Sequence, residues 1–378
     1  YVVYSMHNLR RMSHYFHHLK TWPEFWWDHE LLLMKLADVR NRQGRLLGRM
    51  EALGFEMSRE AFWQTLSEDV LRSSEIEGEL YNTDEVRSSV ARKLGLEYAG
   101  MVHSGRDVDG MVDVLADATQ YAYQPLTKER LHSWHAALFP TGRSGLQKIT
   151  VGEFRKDDAG PMQVVSGAMG FERVHYVAPE ADRLEAEMDN FLNWFNADQN
   201  IDPVLKAAVA HLWFVSVHPY DDGNGRLARA VADMQLSRAD GSNKRFYSMS
   251  SQIMKVRKSY YEILEQTQKG DLDVTNWMLW FLECMQAALQ NTEVQLAKVL
   301  TKAHFWEQHK MTLFNERQLK MVNRLLDDFE GKLTTTKWAK MQKCSQDTAL
   351  RDVNDLLEKG VLEKDPAGGR SSSYLLKA

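Results

Sequence analysis

Residues 203–217 limit the fold of this chain more than any other segment, because their pattern is helical yet apolar on nearly every side. Asp202 and Pro203 are residue types that favour an N-cap and a first helical position, and His218-Pro219 interrupts the helix at its other end. A helix that is hydrophobic all round needs other elements around it. Since the 378 residues include only 8 prolines and 22 glycines, we predict a mainly α protein with this helix at its centre.

The composition excludes several classes of protein. Hydrophobic residues make up 44% and charged residues 26% of the chain, as in ordinary globular proteins. The net charge of −5 gives no general positive field for nucleic acid. Cys284 and Cys344 lie far apart, which excludes a disulfide framework and a cysteine zinc site. No apolar run is long enough to span a membrane and the first residues lack a signal-peptide core, so we expect a cytoplasmic protein without membrane contact.

Periodicity and turn residues divide the chain into four predicted parts. A helical module comes first, and a larger helical core follows in which residues 150–178 form short strands and a hairpin. A linker helix then leads to a small domain with a helix, two helices joined by a short turn, and a two-stranded ribbon around Gly368-Gly369, the order typical of a winged helix. The predicted boundaries of the four parts are 1–98, 99–292, 293–310 and 311–378.

The stretch HPYDDGNGRLAR, residues 218–229, carries the clearest chemistry. Glycines at 223 and 225 leave the backbone unshielded where a helix begins, and the free N–H groups there favour an anion such as phosphate. Arg226 and Arg229 lie on one side of that helix and can bind phosphate oxygens. A glycine-rich turn followed by arginine is often only a helix start, so the prediction depends on the whole pattern.

Two further side chains of this stretch suit catalysis. Asp222 is a hard oxygen ligand beside the phosphate-binding turn, which suits Mg²⁺. His218 ends the buried helix, and an imidazole can accept a proton near neutral pH. Together these residues predict the transfer of a nucleotide or phosphoryl group to a hydroxyl.

The same stretch resembles the motif HPFx(D/E)GNGRxxR of the Fic-domain family. It differs only at Tyr220, where the family usually has Phe, and both residues are aromatic anchors. The resemblance implies a Fic-type helical core with a β-hairpin flap, and transfer of AMP from ATP to a Ser, Thr or Tyr hydroxyl of a target protein. The matching residues are His218, Pro219, Asp222, Gly223, Asn224, Gly225, Arg226 and Arg229.

The resemblance also implies a role for each matching residue. His218 would be the general base on the target hydroxyl, and Asp222 would hold the Mg²⁺ that bridges the α and β phosphates. Arg229 would hold the γ-phosphate. The rest of the phosphate site would consist of Gly223, Asn224, Gly225 and Arg226.

Two other segments resemble binding elements of the family. The hairpin at about 163–177 lies where the family has its flap, which holds a target segment by strand addition. A second segment resembles the one that closes over adenine, although core packing is an equal alternative for either of its tyrosines. The implied nucleotide-binding residues are Val164, Val165, Ser166 and Gly167 on the hairpin and Tyr260, Tyr261 and Gln268 on the second segment.

Ser73, Glu77 and Gly78 resemble the inhibitory motif (S/T)xxxE(G/N) of the same family. Gly78 ends the preceding helix, so the carboxylate of Glu77 can project. If it reaches Arg229, it forms a charge-assisted pair that occupies the cation needed by the γ-phosphate. The alternative is a solvated acidic helix end, because further glutamates lie next to it.

The charge of the predicted winged helix bears on its partner. Residues 311–378 contain 12 basic and 10 acidic residues, and the predicted recognition helix over 345–358 carries Arg351 against four acidic residues. This is unfavourable for phosphate contacts, although lysines on the preceding helix and Arg370 leave some basic surface. The sequence therefore leaves DNA binding open and favours a protein contact or a homodimer.

The predicted function is Mg²⁺-dependent protein adenylylation, including self-modification, with intramolecular inhibition by Glu77. Three alternatives remain open at this point. The enzyme could remove AMP, with Glu77 orienting a water molecule, or transfer UMP or phosphate, because the motif recognises phosphates better than bases. The chain could also be a transcriptional regulator whose Fic core only senses a nucleotide.

Overall fold

The computed structural model describes residues 15–52, 55–96, 101–158, 160–167, 171, 173–198, 200–326, 329, 331–366 and 372–377. The chain divides into two compact units, Tyr1–Gln290 and Asn291–Ala378. The boundary predicted between residues 98 and 99 lies inside the first unit and stays a prediction.

The described elements confirm a mainly helical chain with small two-stranded sheets. Short 3₁₀ helices cover Phe16–His18 and Ala181–Arg183. The α-helices are α1 (His29–Ala52), α2 (Phe55–Ile76), α3 (Thr83–Lys93), α4 (Arg106–Gln120), α5 (Lys128–Leu138), α6 (Leu184–Asn196), α7 (Pro203–Val217), α8 (Asn224–Asp240), α9 (Met249–Lys255), α10 (Arg257–Gln268), α11 (Thr275–Gln308), α12 (Glu316–Leu326), α13 (Thr335–Gln342) and α14 (Gln346–Glu358). The strands are β1 (Arg143–Ser144), β2 (Gln147–Lys148), β3 (Gln163–Ser166), β4 (Arg173–Val177), β5 (Leu362–Lys364) and β6 (Tyr374–Leu376).

The apolar helix is central, as predicted. The carboxylate of Asp202 accepts the N–H of Val204 (2.8 Å) and Pro203 occupies the first turn of α7. Every residue from 204 to 217 is buried, and α8 and α6 pack against the helix. The 218–229 stretch therefore begins directly after α7 and continues into α8, which packs against α7.

Helix α2 lies against α8 and also against α3, α4 and α9. It ends at Ile76, so Glu77 follows its last residue, and Gly78 has a φ of 88° in the turn that comes next. Asn82 then caps α3 by accepting the N–H groups of Asp84 and Glu85 (2.8 and 3.2 Å), as its residue type predicts.

The predicted hairpin is confirmed over β3 and β4. The two strands are antiparallel, pair Gln163 with Val177 and Ser166 with Arg173, and contain a register shift between Val164 and Val165. A second hairpin, β1 and β2, was not predicted, since its strands have only two residues each.

The second unit contains α12, α13, α14 and the antiparallel strands β5 and β6, in the predicted order. Trp338, Val353 and Leu356 are fully buried in its core together with Tyr374. The predicted turn at Gly368-Gly369 and the predicted basic residue Arg370 lie outside the described residues. The winged-helix interpretation stays a prediction.

Two of the acidic residues counted against DNA binding are engaged inside this unit. Asp352 accepts Nε of Arg317 on α12 (2.8 Å) and is buried, and Asp355 accepts Nε2 of Gln318 (2.7 Å). The charge count along α14 therefore overstates the negative charge on its outward face. The partner of this unit stays a prediction.

Among the described helices, none is both long enough and apolar enough to cross a membrane.

Candidate active site

His218 ends α7 in the left-handed region of backbone conformation, with a φ of 52°. Its N–H still donates to the carbonyl of Phe214 (3.1 Å), and its own carbonyl accepts Nε of Arg155 (2.8 Å). Arg155 is buried, and its backbone N–H donates to the carbonyl of Pro219 (2.9 Å). A left-handed non-glycine residue costs about 1 kcal/mol or more, and these contacts hold the loop in that conformation.

The imidazole of His218 has one preferred tautomer. Its Nδ1 lies 3.2 Å from the carbonyl oxygen of Val215. Because a carbonyl oxygen only accepts, Nδ1 carries the hydrogen and the lone pair remains on Nε2. Burial lowers the pKa of His218 to about 4, although the Val215 carbonyl acts in the opposite direction. The ring is therefore neutral at pH 7 and can accept a proton at Nε2.

Tyr220 and Asn224 close the turn between α7 and α8. The side-chain amide of Asn224 accepts the N–H of Tyr220 (3.0 Å) and donates to its carbonyl (2.8 Å). The ring of Tyr220 is fully buried and stacks on His135, with centroids 4.2 Å apart. Tyr220 therefore serves as the aromatic anchor that the sequence predicts at this position.

Two glycines allow close approach at the start of α8. Gly223 has a φ of 79°, and a Cβ there would lie 2.9 Å from the ring of Phe139. A Cβ on Gly225 would overlap the carboxylate of Glu77 and would lie 2.9 Å from its Cδ. The first N–H groups of a helix have no partner within it and attract anions. The absence of a side chain at Gly225 therefore leaves the space in which Glu77 reaches Arg229.

Arg229 lies one turn into α8 and is 2% exposed. Its Nη1 donates to Oε1 of Glu77 (2.8 Å), its Nε donates to the hydroxyl of Ser73 (2.8 Å), and its Nη2 donates to the Ser73 carbonyl (2.7 Å). The predicted contact between Glu77 and Arg229 is therefore present. These bonds use one N–H of each of the three guanidinium nitrogens, so a phosphate at Arg229 would have to share the guanidinium with Glu77 and Ser73.

Arg226 is also buried, and it has a carboxylate partner that the sequence did not predict. Its Nη1 donates to Oε2 of Glu79 (2.6 Å), and its guanidinium lies over the ring of Phe139 at 4.9 Å from the centroid. Both arginines of the 218–229 stretch are thus paired with glutamates that follow α2.

The carboxylate of Asp222 is partly exposed, with 43% of its side chain accessible. One oxygen accepts the N–H of Gly223 (2.6 Å), and the other accepts the hydroxyl of Ser144 on β1. Within the described residues no three acidic, histidine or cysteine side chains cluster as a metal site. A single carboxylate beside bound phosphates still fits Mg²⁺, which usually takes one or two protein ligands and completes its shell with phosphate and water.

The predicted flap residues lie on β3 and the turn after it. Val165 is 48% exposed, while the hydroxyl of Ser166 contacts Nε2 of His175 (2.6 Å), whose Nδ1 contacts Glu265 (2.6 Å). The hairpin is attached to the core by the hydroxyl of Tyr176, which donates to the Ser216 carbonyl (2.9 Å). Nucleotide binding by these residues, including Val164 and Gly167, stays a prediction.

The three predicted adenine-pocket residues differ in burial. Tyr260 is 1% exposed and shares a hydrogen bond with His211 (2.9 Å), and Gln268 is 5% exposed and donates to the hydroxyl of Ser216 (3.0 Å). Tyr261 is 39% exposed, and its hydroxyl donates to the carbonyl of Ile76 (3.1 Å). Of the three, Tyr261 is the one with a ring accessible to a base, and binding by all three stays a prediction.

The family model of the Fic/DOC family matches residues 125–236, which include α7, the turn and most of α8. This chain contains a Fic domain. A second model, described as a domain of unknown function (DUF4172), matches residues 15–96. The segment after α2 that contacts the Fic arginines therefore belongs to the second match.

Curated relatives match the Fic segment. A Protein adenylyltransferase Fic from Culex quinquefasciatus is 33% identical over 99 residues, which are 26% of this chain and 19% of the relative. Another from Drosophila mojavensis is 32% identical over 126 residues, which are 33% of this chain and 22% of the relative. The matched part thus spans about a fifth of the length of these relatives.

Two solved structures share the fold. A Fic family protein from Desulfovibrio desulfuricans has a TM-score of 0.52 and 17% identity, and the match covers 93% of this chain and 97% of that one. A Fic domain containing signaling protein from Bacteroides thetaiotaomicron has a TM-score of 0.51 and 19% identity, over 67% and 93% of the two chains. Both support the Fic fold.

Sequence reasoning missed several residues that shape the Fic site. Arg155 holds the carbonyl of His218, His135 donates through Nε2 to the carbonyl of Asp222 (3.2 Å), and Ser144 donates to the Asp222 carboxylate. Glu79, the partner of Arg226, was also missed, and its place two positions after Glu77 was the one signal that the sequence offered. The other residues lie in segments without a motif.

Proposed function

We propose that this protein transfers AMP from ATP to hydroxyl side chains of target proteins, itself included, and that Glu77 restrains the reaction. The observation that carries the proposal is a neutral histidine placed in the same turn as the first N–H groups of α8 and the two buried Fic arginines. The relatives named adenylyltransferase support the choice of ATP and of a protein target. The homodimer predicted from the sequence remains part of this proposal.

The proposed chemistry needs a base and a site for negative charge. The target oxygen forms a bond to the α-phosphorus of ATP while the bond from that phosphorus to its bridging oxygen breaks, and pyrophosphate leaves. Nε2 of His218 accepts the hydroxyl proton. Arg226 and the N–H groups at the start of α8 would stabilise the charge that develops on the phosphate oxygens.

Mg²⁺ would be held by Asp222, whose carboxylate lies beside the predicted phosphate site and is partly exposed. When bound there, the ion would neutralise phosphate charge. Ser144, which donates to this carboxylate, would keep it oriented.

The restraint would act through Arg229. Glu77 occupies one guanidinium nitrogen and Ser73 two others, so the γ-phosphate of ATP would lack its cation. ATP would then bind in a pose that does not align the α-phosphate with the attacking hydroxyl.

ATP labelled at either the α- or the γ-phosphate tests the reaction class. The purified chain is incubated with each label, alone and with cell lysate, and covalent label on protein is measured. AMP transfer predicts protein label from the α-phosphate and none from the γ-phosphate. Label from the γ-phosphate would indicate phosphoryl transfer, and specific DNA binding without label would favour the regulator.

We expect Asp222→Ala to lower Mg²⁺-dependent transfer about 10- to 100-fold and to raise the Mg²⁺ concentration needed for half-maximal activity. The reason is that phosphate and water alone would hold the ion more weakly than they do together with the carboxylate. A Mg²⁺ titration of labelling measures both. Asp221→Asn is the matched control, since the Asp221 carboxylate is engaged by the N–H of Thr150 (2.8 Å). Identical titrations for wild type and Asp222→Ala would show that Asp222 does not hold the metal.

We expect the rate of AMP transfer to stay nearly constant from pH 8 to about pH 5 and to fall below that. The pKa of His218 is lowered to about 4, so the neutral form that accepts a proton predominates above this pH and is lost as the pH falls through it. A pH profile of single-turnover labelling, with ATP binding measured at each pH, provides the check. A rate that instead halves near pH 6.5 would contradict the lowered pKa of His218.

A further inference from the structure

The segment after α2 contributes two carboxylates to the Fic arginines. Beside the Glu77–Arg229 contact, Nη1 of Arg226 donates to Oε2 of Glu79 at 2.6 Å. Arg226 has 2% of its side chain exposed, whereas Glu79 has 39%. The buried cation is fixed in α8, and the carboxylate is the partner that can move into solvent.

Arg226 does not use all of its N–H donors within the described residues. One face of the guanidinium is covered by Phe139, and Nη2 lies 4.0 Å from Oδ1 of Asp222, beyond hydrogen-bond distance. Its Nε is buried and has no hydrogen-bond partner among the described residues. Buried donors are nearly always satisfied in folded proteins. An arginine with unused N–H donors is therefore suited to a ligand with several acceptor oxygens.

Glu79 is positioned by its neighbours and not only by the arginine. Its backbone N–H donates to the carbonyl of Ser74 (3.0 Å), in the last turn of α2. The hydroxyl of Tyr81 donates to the same Oε2 that Arg226 contacts, at 3.3 Å. The carboxylate is therefore presented to Arg226 by the chain on both sides of it.

We propose that Glu79 is a second inhibitory carboxylate, which occupies Arg226 and lowers the affinity of the site for the α- and β-phosphates of a nucleotide. This inference rests on the proposed function, because it assumes that nucleotide phosphates bind at the start of α8. Arg226 lies in the first turn, next to the free N–H groups, and Arg229 lies one turn farther along. Glu79 would therefore oppose ADP and ATP alike, whereas Glu77 would oppose ATP alone.

Measured affinities for ADP and ATP distinguish the role of Glu79 from that of Glu77 and do not depend on the transfer reaction. Dissociation constants for ADP and for ATP, each with Mg²⁺, are measured by calorimetry on the full chain carrying Glu79→Gln, Glu77→Gln or Glu75→Gln. Glu75 is the matched control, because it lies on the same helix end but pairs with Arg72 (2.5 Å). We expect Glu79→Gln to tighten both nucleotides about 3- to 30-fold, Glu77→Gln to tighten ATP by a similar factor, and Glu75→Gln to change neither.

Tyr81→Phe provides a second variant that keeps the carboxylate and removes the hydroxyl that holds it. We expect a smaller tightening of both nucleotides, and thermal unfolding of each variant shows that the fold is kept. If Glu79→Gln and Tyr81→Phe bind like Glu75→Gln while Glu77→Gln tightens ATP, the inference is overturned and the proposed function stands. If neither wild type nor any variant binds ADP or ATP at millimolar concentration, both are overturned.

Discussion

Replacing His218 by Ala is expected to reduce AMP transfer about 10²- to 10⁴-fold, the usual cost of losing a general base. His218 is the residue of the turn that is neutral at pH 7 and has a lone pair on Nε2, so no neighbouring group in the Fic motif can take its place. ATP binding should stay within about threefold of wild type, because the phosphate contacts proposed for α8 do not involve the imidazole. Single-turnover labelling and calorimetry measure the two quantities on the same preparation.

The control for this variant is His103→Ala, which removes an exposed histidine of the same unit. It should label like wild type. The backbone of His218 is held by Arg155 and Phe214 through main-chain atoms, so alanine should keep the loop, although a left-handed alanine is less favourable. Labelling of His218→Ala at the wild-type rate, with unchanged unfolding temperature, would contradict the proposed mechanism.

The elements that carry the site could be predicted because their signals are local. Asp202 and Pro203 mark the start of α7, and the absence of a polar face predicts its burial. Glycines and arginines of known spacing mark the turn and the start of α8. The inhibitory contact could also be expected, since Ser73, Glu77 and Gly78 resemble the inhibitory motif of the family.

What could not be predicted depends on contacts between distant parts of the chain. Arg155 lies 63 residues from His218 and Glu79 lies 147 residues from Arg226, and no local pattern pairs them. The burial of Tyr260 has the same origin: two adjacent tyrosines on α10 lie on different sides of the helix, and only packing decides which ring faces the core. Periodicity predicts a face, but not the neighbour that covers it.

The contact between α2 and α8 extends beyond the inhibitory motif. The facing residues recur every four positions. They are Asp69 and Ser73 on α2 with Glu77 just after it, and Gly225, Arg229 and Asp233 along α8. Burial and the nearby Asp233 raise the pKa of Asp69. Asp69 also accepts the hydroxyl of Ser248, at the start of α9 (2.5 Å). Helix α2 is therefore anchored about two turns before Glu77, and loss of the Glu77 side chain should leave it in place.

Replacing Glu77 by Gly is accordingly expected to raise AMP transfer, including self-modification, about 10- to 100-fold. A hydrogen bond to a charged group contributes about 1.5–3 kcal/mol, and each 1.4 kcal/mol corresponds to a factor of ten. Arg229 would keep its two contacts with Ser73 and would gain a free nitrogen for the γ-phosphate. The rate of α-phosphate labelling, on lysate and on the purified chain alone, measures the gain.

Two controls separate release of Arg229 from a general loosening of the segment after α2. Glu75→Gln removes a carboxylate from the same helix end and should label like wild type. The double variant Glu77→Gly with Arg229→Ala should lose the gain, because the released cation is missing. If Glu77→Gly is no more active than wild type, Glu77 is only a solvated helix end that contacts Arg229. The variant could instead lose an ability to remove AMP from a labelled protein. In that case Glu77 orients a water molecule, and the protein hydrolyses AMP from its targets rather than adding it.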